Sequence, residues 1–200
     1  GRKDRLARVL ARAKKRAPHA YSFYPESFSL PAELASLEHR AKLELATGGL
    51  SSSQTSTPGH PPPYKPKSSS SSVWIVKPPA SSCGRGIRLV SSRDVASGAV
   101  QFPKDKKLIA QRYVDAPFIA INGRKFDLRV YVLLTGLDPL TCYVYDEGLV
   151  RFSTHPYTMR NLRCRYVHLT NYSVNKKSKR YVEANYDEDD DEDDLLDSSE

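Results

Sequence analysis

A lysine closes an apolar run and a loop of small residues follows it: Trp74-Ile75-Val76-Lys77-Pro78-Pro79-Ala80-Ser81-Ser82-Cys83-Gly84-Arg85-Gly86. That order suits the binding of an anion. The paired prolines force an extended exit from a strand. Gly84 and Gly86 carry no Cβ, so the loop can bring backbone N–H groups close to a phosphate. Lys77 adds a compact positive charge beside it. An ordinary surface turn has the same composition, so the segment gains meaning only in company.

The second candidate is Lys125-Phe126-Asp127-Leu128-Arg129-Val130. Its period of two puts Lys125, Asp127 and Arg129 on one face of a strand and Phe126, Leu128 and Val130 on the other. The next residues, Val132-Leu133-Leu134, are apolar on both faces and predict a strand central to a covered sheet. Charges on a covered face must pair or meet a charged ligand. Arg151 ends the nearby run Gly148-Leu149-Val150-Arg151-Phe152. If it projects to the same side, Arg129 and Arg151 can clamp an anion. A solvated outer face is the alternative without function.

A third stretch, His168-Leu169-Thr170-Asn171-Tyr172-Ser173-Val174-Asn175-Lys176-Lys177, gathers hydrogen-bonding side chains. A capped turn before a helix has the same make-up. His155 and His168 have no carboxylate or serine at a telling spacing and read as structural. Other nucleotide and hydrolase signatures are missing. There is no Gly-x4-Gly-Lys-Ser/Thr, no third glycine after Gly84 and Gly86, no His-Glu-x-x-His and no Gly-x-Ser-x-Gly.

The elements that must position these residues can be read from periodicity and punctuation. Residues 2–16 predict a basic helix whose apolar stripe is Leu6, Val9, Leu10 and Ala13, closed by Pro18. A second helix is expected from after Pro31 to about Thr47, stopped by Gly48 and Gly49. Residues 51–72, with Pro61-Pro62-Pro63 and five serines from Ser68, predict a disordered insertion. Strands are then expected at Val73–Val76, Ile87–Val90 and Leu108–Val114. An antiparallel set follows: Arg124–Thr135, a turn at Asp138-Pro139, Thr141–Tyr145, a turn at Glu147-Gly148, and Leu149–Ser153. Residues after Ser153, through 168–175, read as irregular.

Composition narrows the class. Of 200 residues 39% are hydrophobic, and no apolar run approaches the length of a membrane span or a signal peptide. Three cysteines without metal-ligand spacing, Cys83, Cys142 and Cys164, argue against a disulfide scaffold or a zinc module and fit a reducing compartment. The chain opens at Gly1, its one methionine is Met159, and it stops in an acidic run; an excerpt of a longer protein is expected. The net charge of +8 hides a segregation. Residues 187–194 are all acidic and Asp197 and Glu200 follow, so removing ten acids leaves 31 bases against 13 acids, or +18, over residues 1–186. A body that positive attracts a polyanion.

Together the residues resemble the tubulin tyrosine ligase-like family, and most nearly its polyglutamylase branch. The resemblance rests on Trp74–Pro78 with the loop to Gly86, Gln111-Arg112-Tyr113, Lys125–Arg129, Gly148–Phe152 and His168–Lys177. Arg2-Lys3-Asp4-Arg5-Leu6 and Ser22–Phe28 also look like the family's approach to its central domain. The family implies an α+β, ATP-grasp-like fold, incomplete here on its C-terminal side. The expected division is a basic helical lead-in over 1–50, the insertion over 51–72, a partial ATP-grasp core over 73–186 and an acidic disordered segment over 187–200.

The resemblance also implies roles. Lys77 and Lys125 would contact ATP phosphates under a loop containing Cys83 and Gly84. Gln111, Arg112, Tyr113 and Val114 would edge the adenine. Phe126 belongs to the same ATP-binding set, Asp127 would hold the ribose, and Thr170 and Asn171 would face the phosphates. Arg151, Tyr172 and Ser173 resemble positions that receive free glutamate, and Arg129 with Arg151 is the expected catalytic pair. Related glutamylases carry arginine where this chain has Cys83. The family's magnesium-binding carboxylates and asparagine, and a further glutamate-contacting lysine, come later than residue 200, so no metal ligand is expected in this chain.

The implied reaction uses ATP and Mg2+. A glutamate side-chain carboxylate becomes an acyl phosphate, which the amine of free L-glutamate attacks. Positioned cations suit such a transfer. Tubulin and microtubules, through acidic C-terminal tails, are the expected partners, with no nucleic acid or membrane, and a monomer in the cytoplasm on the cytoskeleton, cilium or basal body. A non-catalytic microtubule-binding module, or a glycylase or tyrosine ligase of the same fold, is the alternative.

Overall fold

The computed structural model describes residues 2–47, 73–119 and 121–183. The expected insertion at 51–72, the glycine stop at 48–49 and the acidic run lie outside the described residues. Within them the architecture is mixed α and β.

Helix α1 spans Lys3–Arg16, with Asp4 in its first turn and Lys14, Lys15 and Arg16 in its last, which matches the helix dipole at both ends. Its attachment differs from the sequence reading. Of the apolar stripe, Leu6 and Val9 are exposed, and the buried residue is Ala7. Polar ties help hold the helix: Lys3 N donates to Pro79 O at 3.1 Å, and Lys14 Nζ to Tyr24 O at 3.0 Å.

Strand β1 (Ser27–Leu30) leads into α2 (Leu34–Ala46), followed by β2 (Val73–Lys77), β3 (Arg88–Ser91), the short α3 (Ser92–Ala96) and β4 (Leu108–Arg112). The four strands form one antiparallel sheet in the order β1-β4-β2-β3. Helix α2 buries Leu37 and Ala41, one turn apart, against the face carrying Trp74, Val76 and Ala110. Trp74 is fully buried, and its indole N–H donates to Ser92 Oγ at 2.9 Å. Ser92 in turn donates to Glu44 of α2. The sequence reading passed over α3, although Ser91-Ser92-Arg93-Asp94 is a capping box: Ser91 Oγ accepts from Asp94 N at 3.1 Å.

The core fixes which residues point away from it. With Trp74, Val76, Ala110 and Arg112 turned toward α2, the alternation of the strands puts Ile75, Lys77, Ile109 and Gln111 on the opposite face. Tyr113 continues the pattern, since its N–H donates to Val73 O at 2.9 Å.

The second sheet overturns two expectations. Strand β5 (Arg124–Leu137) pairs only with β6 (Leu140–Pro156) among the described residues, as a two-stranded ribbon. Among the described residues it is therefore not the centre of a covered sheet, and Leu128, Val130, Val132, Leu133 and Leu134 are exposed there. Nor is there a turn at Glu147-Gly148, because β6 runs through it as one strand. Gly148 is needed for close approach within the ladder: a Cβ there would stand 2.7 Å from Arg129 O. The turn at Asp138-Pro139 is where the sequence placed it. Beyond the ribbon, residues read as irregular contain two helical turns, α4 (Arg165–His168) and α5 (Tyr172–Asn175).

Candidate active site

The face opposite α2 carries the site. Lys77 Nζ donates to Gln111 Oε1 at 2.6 Å, and Gln111 Nε2 donates to Ser27 Oγ at 2.8 Å, so the amide is held from both sides. Two residues along, Tyr113 receives Lys125 from the ribbon: Nζ lies 3.0 Å from the phenol oxygen and 4.4 Å from the ring centroid. The two lysines thus reach alternate residues of one strand face, about 7 Å apart along the backbone.

The hydrogens beyond Tyr113 can be assigned. The protonated amine only donates, so the Tyr113 hydroxyl passes its own hydrogen to His168 Nδ1 at 3.0 Å. His168 Nε2 faces Asn161 O at 2.9 Å and must carry the ring hydrogen, since a carbonyl only accepts. Burial favours this neutral imidazole by lowering the His168 pKa, and the Asn161 carbonyl opposes it in part. Burial also raises the Tyr113 phenol to about 12, which keeps it a donor. His168 is therefore structural, as its sequence context suggested, and it orients the group that Lys125 grips.

Burial depresses both lysines. Lys125 falls to about 8, with Asp127 opposing the fall, and Lys77 is lowered by burial and by the charge of Lys3. Withdrawing an ammonium from water without an ion pair is costly; both lysines are half-buried, and neither belongs to an ion pair among the described residues. An anionic ligand would oppose both depressions.

The loop after β2 closes on the segment 165–175. Arg165 Nη2 donates to Gly84 O at 2.7 Å, and Ser173 Oγ donates to Cys83 O at 3.0 Å. Cys83 and Gly84 both have positive φ, at 59° and 68°. A Cβ on Gly84 would meet Val174 Cγ2 at 2.9 Å and Asn171 Oδ1 at 3.1 Å. The loop is clasped from a distance in sequence that no local pattern reveals, and Arg165 was not singled out for that reason.

The remaining expected residues fall in several places. Asp127 and Arg151 are cross-strand partners joined by two hydrogen bonds, Nε to Oδ1 at 3.0 Å and Nη2 to Oδ2. Arg151 is thereby paired with Asp127, and its pKa is raised by that bond. Arg129 stands exposed opposite Leu149. Phe126 packs between Phe118 and Phe152, at 6.1 and 5.5 Å. Arg112 turns to the other face of its strand, bonded to Glu26 and Glu44 and 3.9 Å over the Trp74 ring. Val114 is exposed. Arg151, Thr170 and Tyr172 line one cleft of about 410 Å3, which also holds Arg124 and Arg180, two cations not singled out from the sequence. Ser173 lines a different cavity with Cys83. Asn171 is the N-cap of α5 and lies beside Gly84.

The cationic face fits the phosphates of a nucleotide. For a metal the fit is poor: among the described residues no three His, Cys, Asp or Glu side chains come together to hold one. No described helix is long and apolar enough to cross a membrane.

The profile of the tubulin-tyrosine ligase family matches residues 1–198. A tubulin monoglutamylase of Homo sapiens is 41% identical over 191 residues, which is 94% of this chain and 13% of that protein. A probable beta-tubulin polyglutamylase of Tetrahymena thermophila is 36% identical over 183 residues, 90% of this chain and 13% of that protein. A tubulin polyglutamylase of Homo sapiens is 37% identical over 184 residues, 90% of this chain and 12% of that protein. The chain spans about an eighth of the length of these relatives.

Proposed function

Since the chain belongs to the tubulin-tyrosine ligase family, we propose that it carries the nucleotide-phosphate site of an ATP-grasp ligase that joins glutamate to the acidic tails of tubulin. The observation that carries the reading is the pair of half-buried lysines, Lys77 and Lys125, held against Gln111 and Tyr113 on one strand face without ion pairs among the described residues. ATP bound there supplies the phosphoryl group that activates an acceptor carboxylate.

The chain's own groups would do the following. Lys77 and Lys125 hold phosphate oxygens and offset their charge. The clasped loop at Cys83 and Gly84 covers them. Gln111 and Tyr113 set the positions of the lysine amines. Arg151, with Thr170 and Tyr172, lines the cleft where the incoming amino acid binds, and Asp127 keeps the Arg151 guanidinium aimed. Arg124 and Arg180 make that cleft attractive to a dicarboxylate. The division into a lead-in over 1–50 and a core over 73–186 belongs to the same proposal. So do Mg2+, held by residues outside those described, a monomeric state and action on the cytoskeleton.

The relatives' names divide between adding one glutamate and adding many, and the proposal covers the shared step. The test is incorporation of labelled glutamate by the full-length protein with Mg-ATP, on intact tubulin and on tubulin whose tails have been removed by protease. Incorporation into intact tubulin alone is expected. Equal labelling of tailless tubulin, or none without added glycine or tyrosine, would contradict it.

A further inference from the structure

A second cavity, of about 650 Å3, lies where the Cys83–Gly84 loop meets α4 and α5. Five of its lining residues are basic, Arg85, Arg163, Arg165, Lys176 and Lys177, and none is acidic. Two of the chain's three cysteines, Cys83 and Cys164, line it as well. The third, Cys142, is exposed on β6 and takes no part in it.

Cys83 is set for reaction. It is exposed, and its backbone is fixed by the Ser173 hydrogen bond to its carbonyl and by Arg165 on the next carbonyl. The adjacent Ser82 hydroxyl chiefly holds its thiol below the usual pKa, with Arg85 and Lys176 adding to the effect. The thiolate is the nucleophile of a cysteine, and accessible thiols in electropositive surroundings are the ones that react. A wall of five cations also selects the co-reactant, favouring anions over neutral or cationic molecules.

We propose that this cavity is a thiol-modification site, at which an anionic low-molecular-weight disulfide of the oxidised glutathione type transfers one half of itself to Cys83. Cys83 loses its proton to solvent, and its sulfur attacks one sulfur of the disulfide. A Cys83–glutathione S–S bond forms, the original S–S bond breaks, and the departing glutathione thiolate takes up a proton. Cys164, on the same cavity, then attacks the Cys83 sulfur, forming a Cys83–Cys164 disulfide and releasing the second glutathione. Two protein thiols are oxidised, and one glutathione disulfide is reduced to two thiols. No further oxidant enters.

The chemistry stands apart from the ligase reading. Its consequence rests on that reading, because the modified residue sits in the loop assigned to cover the ATP phosphates, and an adduct there would block nucleotide.

The test uses the reduced full-length protein, exposed to oxidised glutathione near neutral pH, quenched by alkylation and mapped by peptide mass. A glutathionyl group on Cys83, or a Cys83–Cys164 linked peptide pair, should form at least about tenfold faster than any adduct on Cys142. Cystamine, a cationic disulfide, should lose most of that preference. So should the variant combining Arg85→Gln and Lys176→Gln, which leaves both thiols in place. Equal rates at Cys83 and Cys142, or equal preference for the two reagents, would overturn the proposal. ATP binding is measured on the same samples: modification that leaves it unchanged contradicts the loop assignment and leaves the thiol site standing.

Discussion

Lys125 and Tyr113 are joined by a 3.0 Å hydrogen bond that ties the ribbon to the four-stranded sheet. The contact also places the amine 4.4 Å from the phenol ring centroid, in range of a cation–π attraction. His168 and the Asn161 carbonyl hold the phenol from behind. A charge is thus positioned at the junction of two sheets by hydrogen bonds to neutral groups, without an ion pair among the described residues, which leaves it available to an anion.

The pH dependence of stability follows from that setting. Lys125 titrates at about 8 in the fold against 10.5 when unperturbed. Between those values the unfolded chain keeps a proton that the folded lysine has released, so its effect on stability is unfavourable below pH 8 and fades as pH rises toward 10.5. The penalty at neutral pH is roughly 3 kcal/mol. Lys125→Met should therefore be more stable than wild type at pH 7, with the gap closing by about pH 10 in denaturant unfolding. A gap that stays constant across that range contradicts the depressed lysine.

Gly84→Ala tests the clasped loop. The new Cβ would need left-handed backbone and would crowd Val174 and Asn171. A loss of roughly 1–3 kcal/mol is expected, together with weaker ATP binding. Gly98→Ala is the control, since it has the same sign of φ and no atom within 4 Å of the added carbon. Equal losses in both variants would show that crowding at the clasp counts for nothing.

Asp127 and Arg151 should be coupled only modestly. Their side chains are 37% and 28% exposed, so solvent screens the pair. A double-mutant cycle with Asp127→Asn and Arg151→Gln is expected to give about 1 kcal/mol of stability coupling. Glutamate turnover should fall far more than stability does, because the carboxylate aims the guanidinium into the cleft. Parallel losses in stability and turnover would remove Arg151 from the site.

Much of this was legible in the sequence, and the rest was hidden for physical reasons. Lys77, Lys125 and their strands announce themselves through period-two alternation and a Pro-Pro exit, which are local signals. The ribbon's apolar residues announced burial but not by what, and Val132-Leu133-Leu134 is exposed among the described residues. The turn at Gly148 failed because glycine serves close strand approach as readily as reversal. Arg165 and Ser173 close on the loop across 81 and 90 residues, a distance no periodicity spans. Helix α1 is amphipathic as read, yet Leu6 and Val9 of its stripe are exposed, and lysine hydrogen bonds to backbone carbonyls supplement the half-buried Leu10 and Ala13 in holding it.

If the proposed function holds, the charge of residues 1–186 should govern partner binding. Individual exposed pairs are weak and screened, but many together steer association. Affinity for microtubules should fall steeply between low and physiological salt, and fall again once the acidic tails are removed. The α1 variant Arg8→Gln with Arg12→Gln should bind less tightly and retain ATP affinity. An affinity indifferent to the tails would exclude them as the docking partner.

The most direct measurement is ATP affinity for wild type and Lys77→Ala by calorimetry, with thermal unfolding of both to confirm the fold. Removing one of two cations that face the phosphates should weaken binding by about ten- to a hundredfold, roughly 1.4–2.8 kcal/mol. The melting temperature should hold or rise, since the lost amine is half-buried and without an ion pair among the described residues. Unchanged ATP affinity in a folded Lys77→Ala protein would contradict the assignment of this strand face as the phosphate site.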